Sequence, residues 1–379
     1  MPLFHRLGSG HDHIDCTDAL RHLFRGSSCW IMGAGPSLRS IDVECIRNSC
    51  APVFGVNNAG RGYDGEGWLL KPNLWTTFDP TARFSESLFR DPTILKFVRA
   101  GRESDMLANR YEKVYSCPGV FSFDEAPKSR EDYISPVTDT VTNASDSFVQ
   151  AIDIAVKLGF RTLYLIGAEM RIAPSGEQRR LLESLLKQPL LYGRYVEDSG
   201  RLTDRLDRMI AVASRVSKVP DSDVRKQLAG MEREQQYCFG EEKPFESVIR
   251  TDIHYWNRAQ CIRQAIPAAR MHGISLVCCT PNSRLDVCCD TVSEVEASDR
   301  ILKECGDPAS ECLKGRYTKG TPILKVYTED VPLSAQSAKS KDKPQTEAAG
   351  GCVGCQKRKG LKTAVPDMLV EPIEIKEAL

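Results

Sequence analysis

The sequence predicts an α/β fold: a doubly wound, Rossmann-like, mostly parallel sheet with a helical insertion and a disordered C-terminal tail. Three stretches carry that expectation. Cys29–Met32 is a short apolar run that passes directly into Gly33-Ala34-Gly35-Pro36-Ser37. Such a run followed by glycines reads as a buried parallel strand and its tight C-terminal turn. Thr142–Glu169 reads as helix, glycine, buried strand, then glycine and acid, which is half of a βαβ unit. Ile274–Cys279 is another apolar run, closed by Thr280-Pro281-Asn282-Ser283. In open α/β sheets the loops after such strands meet ligands.

Bulk composition narrows the function. Lys+Arg and Asp+Glu both total 51, so no net charge favours nucleic acid or a membrane surface. No apolar run is long enough to span a bilayer, and the N-terminus lacks a signal-peptide core. A cytoplasmic protein is expected, with the 15 cysteines read as reduced thiols.

In chain order, residues 1–27 read as a solvated N-terminal arm carrying four of the six histidines. His11 and His13 have no neighbours to complete a metal-ligand set. Leu38–Asn48 suits a short helix or turn, and Pro52–Val56 a second strand ending in Asn57-Asn58. Asn73–Phe78 reads as a third strand. Asp79, at its end, serves a ribose, a metal or simply the turn. Between Arg83 and Lys128 the signals mix; the clearest piece, Lys113–Ser122, reads as a strand broken at Pro118-Gly119.

Asn143 or Ser145 is the expected cap of a helix whose apolar residues Phe148, Ile152, Ala155, Val156 and Leu158 keep helical spacing. Gly159 ends that helix, and Thr162–Ile166 is the strand before Gly167-Ala168-Glu169. Residues 174–250 are charged and helix-rich, a solvated hairpin or a lid. Regular order is expected to return at Thr251, with His254 just ahead of a helix over Ala259–Met271 that is interrupted at Pro267. Order weakens from Asp290. Residues 334–350 read as a disordered linker before Cys352 and Cys355. One such pair is half of a zinc site; Cys305 and Cys312 would complete four ligands only at irregular spacing, and a redox or partner-docking tail is the alternative. The expected division is thus 1–27, a nucleotide-binding transferase domain over 28–330, and a tail over 331–379.

The ordered set GAGPSL, VNNA, TFDP, YLIGAE, DIHYWN and VCCTPNSRL resembles one superfamily. It holds the bacterial lipooligosaccharide sialyltransferases, the motility-associated flagellin glycosyltransferases and the archaeal 6-hydroxymethylpterin diphosphokinases (MptE-like). The resemblance covers roughly residues 28–290 apart from the insertion. It implies a nucleotide-activated donor, a CMP-sugar in the sialyltransferases, with Gly33, Gly35, Pro36 and Ser37 against the nucleotide and its phosphate. It places Asn57 or Asn58 on the nucleotide, Ser145 beside the donor, and Pro281, Asn282 and Ser283 on the base. It sets Gly167 and Glu169 where the family has a glycine and an aspartate, and His254 near the family's catalytic histidine. Ala34, where the sialyltransferases prefer asparagine, fits the MptE-like branch better.

The resulting expectation is a transferase acting on a nucleotide donor and a small-molecule or glycan acceptor. His254 is the base, and the glycine-loop amides and the Tyr255 hydroxyl stabilise the leaving phosphate. No DxD pattern calls for a metal. A diphosphokinase would instead use ATP and Mg²⁺ between Asp79 and Glu169. A non-catalytic nucleotide-binding or interaction module is the third reading.

Overall fold

Ten strands form one sheet in the order β10-β9-β8-β3-β4-β5-β6-β7-β1-β2. The computed structural model describes residues 2–7, 12–21, 23–62, 67–108, 111–126, 134–172, 181, 184, 202–229, 237–241, 243 and 245–305. The strands are β1 Phe4–Leu7, β2 His13–Asp15, β3 Ser28–Met32, β4 Val53–Val56 and β5 Leu74–Thr76. They continue as β6 Leu95–Arg99, β7 Val120–Phe123, β8 Thr162–Ile166, β9 Ser275–Cys278 and β10 Asp290–Thr291. All pairings from β10 across to β7 are parallel; β1 joins β7, and β2 joins β1, antiparallel. The chain starts the parallel sheet at β3, winds outward to β7, and returns to β8 on the other flank of β3. That reversal is the switch point of a doubly wound sheet.

The helices are α1 Thr17–Leu20, α2 Val43–Asn48, α3 Glu86–Arg90 and α4 Ser147–Lys157. After them come α5 Leu202–Ser217, α6 Asp221–Ala229, α7 Phe245–Met271 and α8 Glu294–Cys305. Helix α4 packs on β3, β4 and β5, and every one of its residues is buried. An amphipathic pattern predicts one wet face, but residues 134–142 cover it. Asp153 accepts from the Thr142 amide at 2.7 Å and from Lys157 at 2.9 Å, and Lys157 also donates to the Ser135 carbonyl at 2.8 Å. A buried ion pair persists only when its remaining hydrogen-bonding capacity is met in this way.

Several expectations need correction. The N-terminal arm is not loosely solvated: Leu3, Phe4 and His5 are buried, and β1 extends the sheet beyond β7. Lys113–Ser122 is not one broken strand but a 3-10 turn at Val114–Ser116 followed by β7. Order does not fade at Asp290, since β10 pairs with β9 and α8 packs on α2. Pro267 does not interrupt its helix. Helix α7 runs through it, held by the buried Ile262, Ile266 and Ala269, and begins at Phe245, so His254 lies inside it. Of the insertion, α5 and α6 are helical as expected, while most of residues 177–188 lie outside the described residues. So does the whole second unit, Ala335–Leu379, with its Cys352 and Cys355, and so do His11 and Cys312. Among the described residues no helix is long and apolar enough to cross a membrane.

His5 makes the N-terminal strand acid-sensitive. It is 2% exposed and neither ring nitrogen has a partner. Burial and then neighbouring His13, its ring 4.6 Å away, push its pKa below the ordinary 6.5, against weaker opposing pulls from Asp124, Glu103 and Asp15. The unfolded chain therefore takes up the proton first, so stability is full above that value and falls as pH drops below it. The melting temperature should fall between about pH 7.5 and about pH 5.5, and His5→Phe should shrink that fall. An identical fall in the variant would place the acid sensitivity elsewhere.

Candidate functional site

The sequence signals converge where β3 and β8 end. The two strands pair from Ser28 with Thr162 to Met32 with Ile166. Beyond them, the Gly33 amide donates to the Ile166 carbonyl and the Gly35 amide to the Gly167 carbonyl, both at 2.9 Å. A Cβ on Gly33 would stand 2.3 Å from the Gly167 oxygen. Gly167 has φ +56°, and its Cβ would stand 2.6 Å from Leu38 Cγ. Both glycines are thus required by the approach of one loop to the other.

Gly35 has a different reason. Its φ is an ordinary −69°, but a Cβ there would fall 1.5 Å from Glu169 Oε2. The Ser37 amide donates to Glu169 Oε1 at 2.7 Å. The amides of Gly33, Gly35 and Ser37 are therefore all engaged within the protein, which corrects the expectation of a loop with its N–H groups free for phosphate.

A cavity of about 370 Å³ opens at these strand ends, a size typical of small-ligand sites. Gly33, Gly35, Asn57, Asn58, Asp79, Ser145, Gly167, Glu169 and His254 line it. Pro36, Ser37, Pro281, Asn282 and Ser283 are not among its lining residues.

Asn57 adopts the left-handed region at φ 51°. Its Oδ1 accepts from Thr77 Oγ1 at 2.7 Å and Ser147 Oγ at 2.9 Å, and its carbonyl accepts from Trp75 Nε1 at 2.8 Å. Two hydroxyl donors on Oδ1 fix the amide's orientation and leave Nδ2 as its donor toward a ligand.

The cap of α4 is Asp146 rather than Asn143 or Ser145. Asp146 Oδ1 accepts from the amides of Phe148 and Val149, each at 2.9 Å. Oδ2 lies 3.0 Å from His254 Nε2. One buried carboxylate thus closes a helix end and holds an imidazole that is 35% exposed at the cavity wall. Asn143, Ser145 and Asp146 all carry capping oxygens within four positions; the one that caps α4 is also the one whose second oxygen meets a histidine 108 positions away.

The Thr280–Ser283 loop braces rather than faces the cavity. Thr280 Oγ1 accepts from the Ala168 amide at 2.9 Å, and Ser283 Oγ donates to the Ala168 carbonyl at 2.6 Å. Pro281 and Asn282 are exposed. The next residue, Arg284, donates to the Met170 carbonyl at 2.9 Å and to Asp252 Oδ2 at 2.7 Å. Asp252 Oδ1 accepts from the Ile172 amide at 2.9 Å. This knot ties the loop bearing Glu169 to the helix bearing His254, and the sequence reading missed both of its charged members.

The chain leaving the insertion supplies another wall. Tyr237 and Phe239 stack at 5.3 Å, and the intervening Cys238 amide donates to the Ala34 carbonyl at 3.0 Å. Tyr255 OH donates to Tyr237 OH at 3.5 Å; burial and then Tyr237 hold the Tyr255 phenol well above its ordinary pKa, so it stays protonated. Asp79 accepts from Arg83 at 3.0 Å. Among the described residues no group of three His, Cys, Asp or Glu side chains is placed to hold a metal ion.

No family model, curated protein or solved structure matches this chain.

Two substitutions test the frame. Gly33→Ala presses a methyl onto a backbone oxygen that has no rotamer to escape by, and should cost about 1–3 kcal/mol in denaturant unfolding. Arg284→Ala leaves Asp252 charged and buried and should cost about 3–5 kcal/mol. Loss of less than about 1 kcal/mol in Arg284→Ala would show that water replaces the guanidinium without penalty.

Proposed function

We propose that the chain is a nucleotide-dependent transferase, a sialyltransferase-like glycosyltransferase taking a nucleotide-activated sugar such as a CMP-sugar as donor. The observation that carries the reading is the Asp146–His254 pair on the wall of a cavity at the sheet's switch point. Its support is chemical. A carboxylate that accepts from one ring nitrogen sets the tautomer and leaves the other nitrogen basic. The acceptor hydroxyl gives its proton to that nitrogen as its oxygen bonds to the anomeric carbon. The bond from that carbon to the phosphate oxygen breaks, and the nucleotide leaves with the electron pair. In this reading the Asn57 amide, its oxygen held by two hydroxyls, donates from Nδ2 to the donor's nucleotide part.

The alternative diphosphokinase would set Mg²⁺ between Asp79 and Glu169. Here Asp79 is paired with Arg83 and Glu169 Oε1 accepts the Ser37 amide, so a metal ion would have to replace both contacts. The described cysteines are free thiols, which fits a reducing, cytoplasmic setting.

The test is a thermal-shift screen against CMP, CDP, UDP, GDP and ATP, with and without Mg²⁺, followed by kinetics with the stabilising donor. A ligand at a hundredfold excess over its Kd stabilises the native state by about 2.7 kcal/mol. His254→Ala should lose about 10²–10⁴ in turnover with donor affinity retained. Asp146→Asn keeps a capping oxygen, so it should leave the melting temperature nearly unchanged while also slowing turnover. EDTA should have no effect. Full dependence on Mg²⁺ together with wild-type turnover in His254→Ala would establish the diphosphokinase instead. Nucleotide binding without turnover of any donor would establish a binding module.

A further inference from the structure

We infer that Glu169 is a resident competitor for the anion position of the glycine loop, so that a ligand's phosphate binds there only by displacing this carboxylate. The inference rests on the nucleotide reading above and deepens it by naming the residue that governs what the loop accepts.

Gly35 needs no special torsion, so its missing side chain is a matter of room. The group using that room is the Glu169 carboxylate, which a Cβ at Gly35 would meet at 1.5, 2.4 and 2.8 Å. It sits as a phosphate oxygen sits on such a loop, accepting the Ser37 amide at 2.7 Å. The carboxylate fits incompletely. Glu169 Oε2 and Ser37 Oγ are both buried and have no hydrogen-bond partner. A tetrahedral phosphate carries a further oxygen that would accept the Ser37 hydroxyl, which a planar carboxylate held by Oε1 leaves unused. Few buried polar atoms go without a partner, so this pair of them requires an account.

Glu169 also has somewhere to go. It lines the cavity, whose lining also carries the cation Arg171 and the Lys243–Glu241 ion pair, so the displaced carboxylate would move into a polar space. The consequence is selectivity. A free phosphate must eject the carboxylate with little else to gain. A nucleotide donor brings further contacts in the cavity that offset the displacement.

The experiment is calorimetric titration of the full chain with inorganic pyrophosphate and, separately, with CMP. The proteins are the parent, Glu169→Gln, Glu169→Ala and the double variant Glu169→Ala/Gly35→Ala, each checked by thermal melting. Both single variants should bind pyrophosphate about tenfold or more tighter than the parent, the factor for a loop vacant one-tenth of the time. The double variant should lose that gain, because the added methyl refills the vacated room. Should Glu169→Ala fail to fold, Glu169→Gln, which keeps the shape and removes the charge, carries the test. Unchanged or weaker pyrophosphate binding in folded Glu169 variants overturns the inference, as does absence of binding in every form. If CMP binds the parent and the Glu169 variants equally, the competitor role falls and the nucleotide reading stands. If pyrophosphate binding rises in the variants while no nucleotide binds any form, the competitor role stands and the nucleotide reading falls.

Discussion

At the ends of β3 and β8 two backbones come within hydrogen-bonding distance past the point where the sheet stops, and the rest of the site is arranged around that contact. The Gly33 and Gly35 amides extend the parallel ladder into the loops, onto the Ile166 and Gly167 carbonyls. Neither Gly33 nor Gly167 leaves space for a side chain at the crossing. Because β3 has β4 on one side and β8 on the other, the two loops must diverge just beyond, and the cavity is the wedge between them. The constraint is steric and local, but it sets where everything else can stand.

Around that wedge the protein repeatedly uses one polar group for two tasks. Asp146 caps α4 with one oxygen and holds His254 with the other. Ser147 donates to Asn57 and accepts from the Phe78 amide, tying α4 to the ends of β4 and β5. Asp252 meets the Ile172 amide and Arg284, joining α7 to the loop after β8. Each carboxylate is buried and fully occupied, which is how a low-dielectric interior tolerates charge. Asn57 and His254 therefore start from fixed positions at the cavity, the preorganisation that binding and general-base chemistry both need.

The parallel strands after glycine-free apolar runs were legible because burial on both faces leaves continuous apolar letters, as in Cys29–Met32, Thr162–Ile166 and Ile274–Cys279. The glycine loops, Asn57 and Glu169 were read as facing a ligand because they follow such strands, and His254 was read from the family resemblance; all but Pro36 and Ser37 of the first loop line the cavity. The N-terminal strand was illegible: a four-residue segment such as Phe4–Leu7, with His5 and Arg6 at its centre, becomes a strand only when the free edge of β7 gives its amides partners. The role of Thr280–Ser283 was misread for a related reason. Small polar residues after a strand look alike whether they bind a ligand or brace a neighbouring loop.

By itself the sequence determined the class of fold, the places where strands end in glycine, and the helix that precedes β8, because these depend on hydrophobic period and backbone freedom within a few residues. Only the tertiary structure decided which of Asn143, Ser145 and Asp146 caps α4, that Glu169 lies in the space Gly35 vacates, and that Arg284 and Asp252 lock the site's two halves together. Those outcomes are contacts between residues far apart in the chain, made by atoms a few ångströms apart, and no local pattern encodes such distances before the sheet brings its strand ends together.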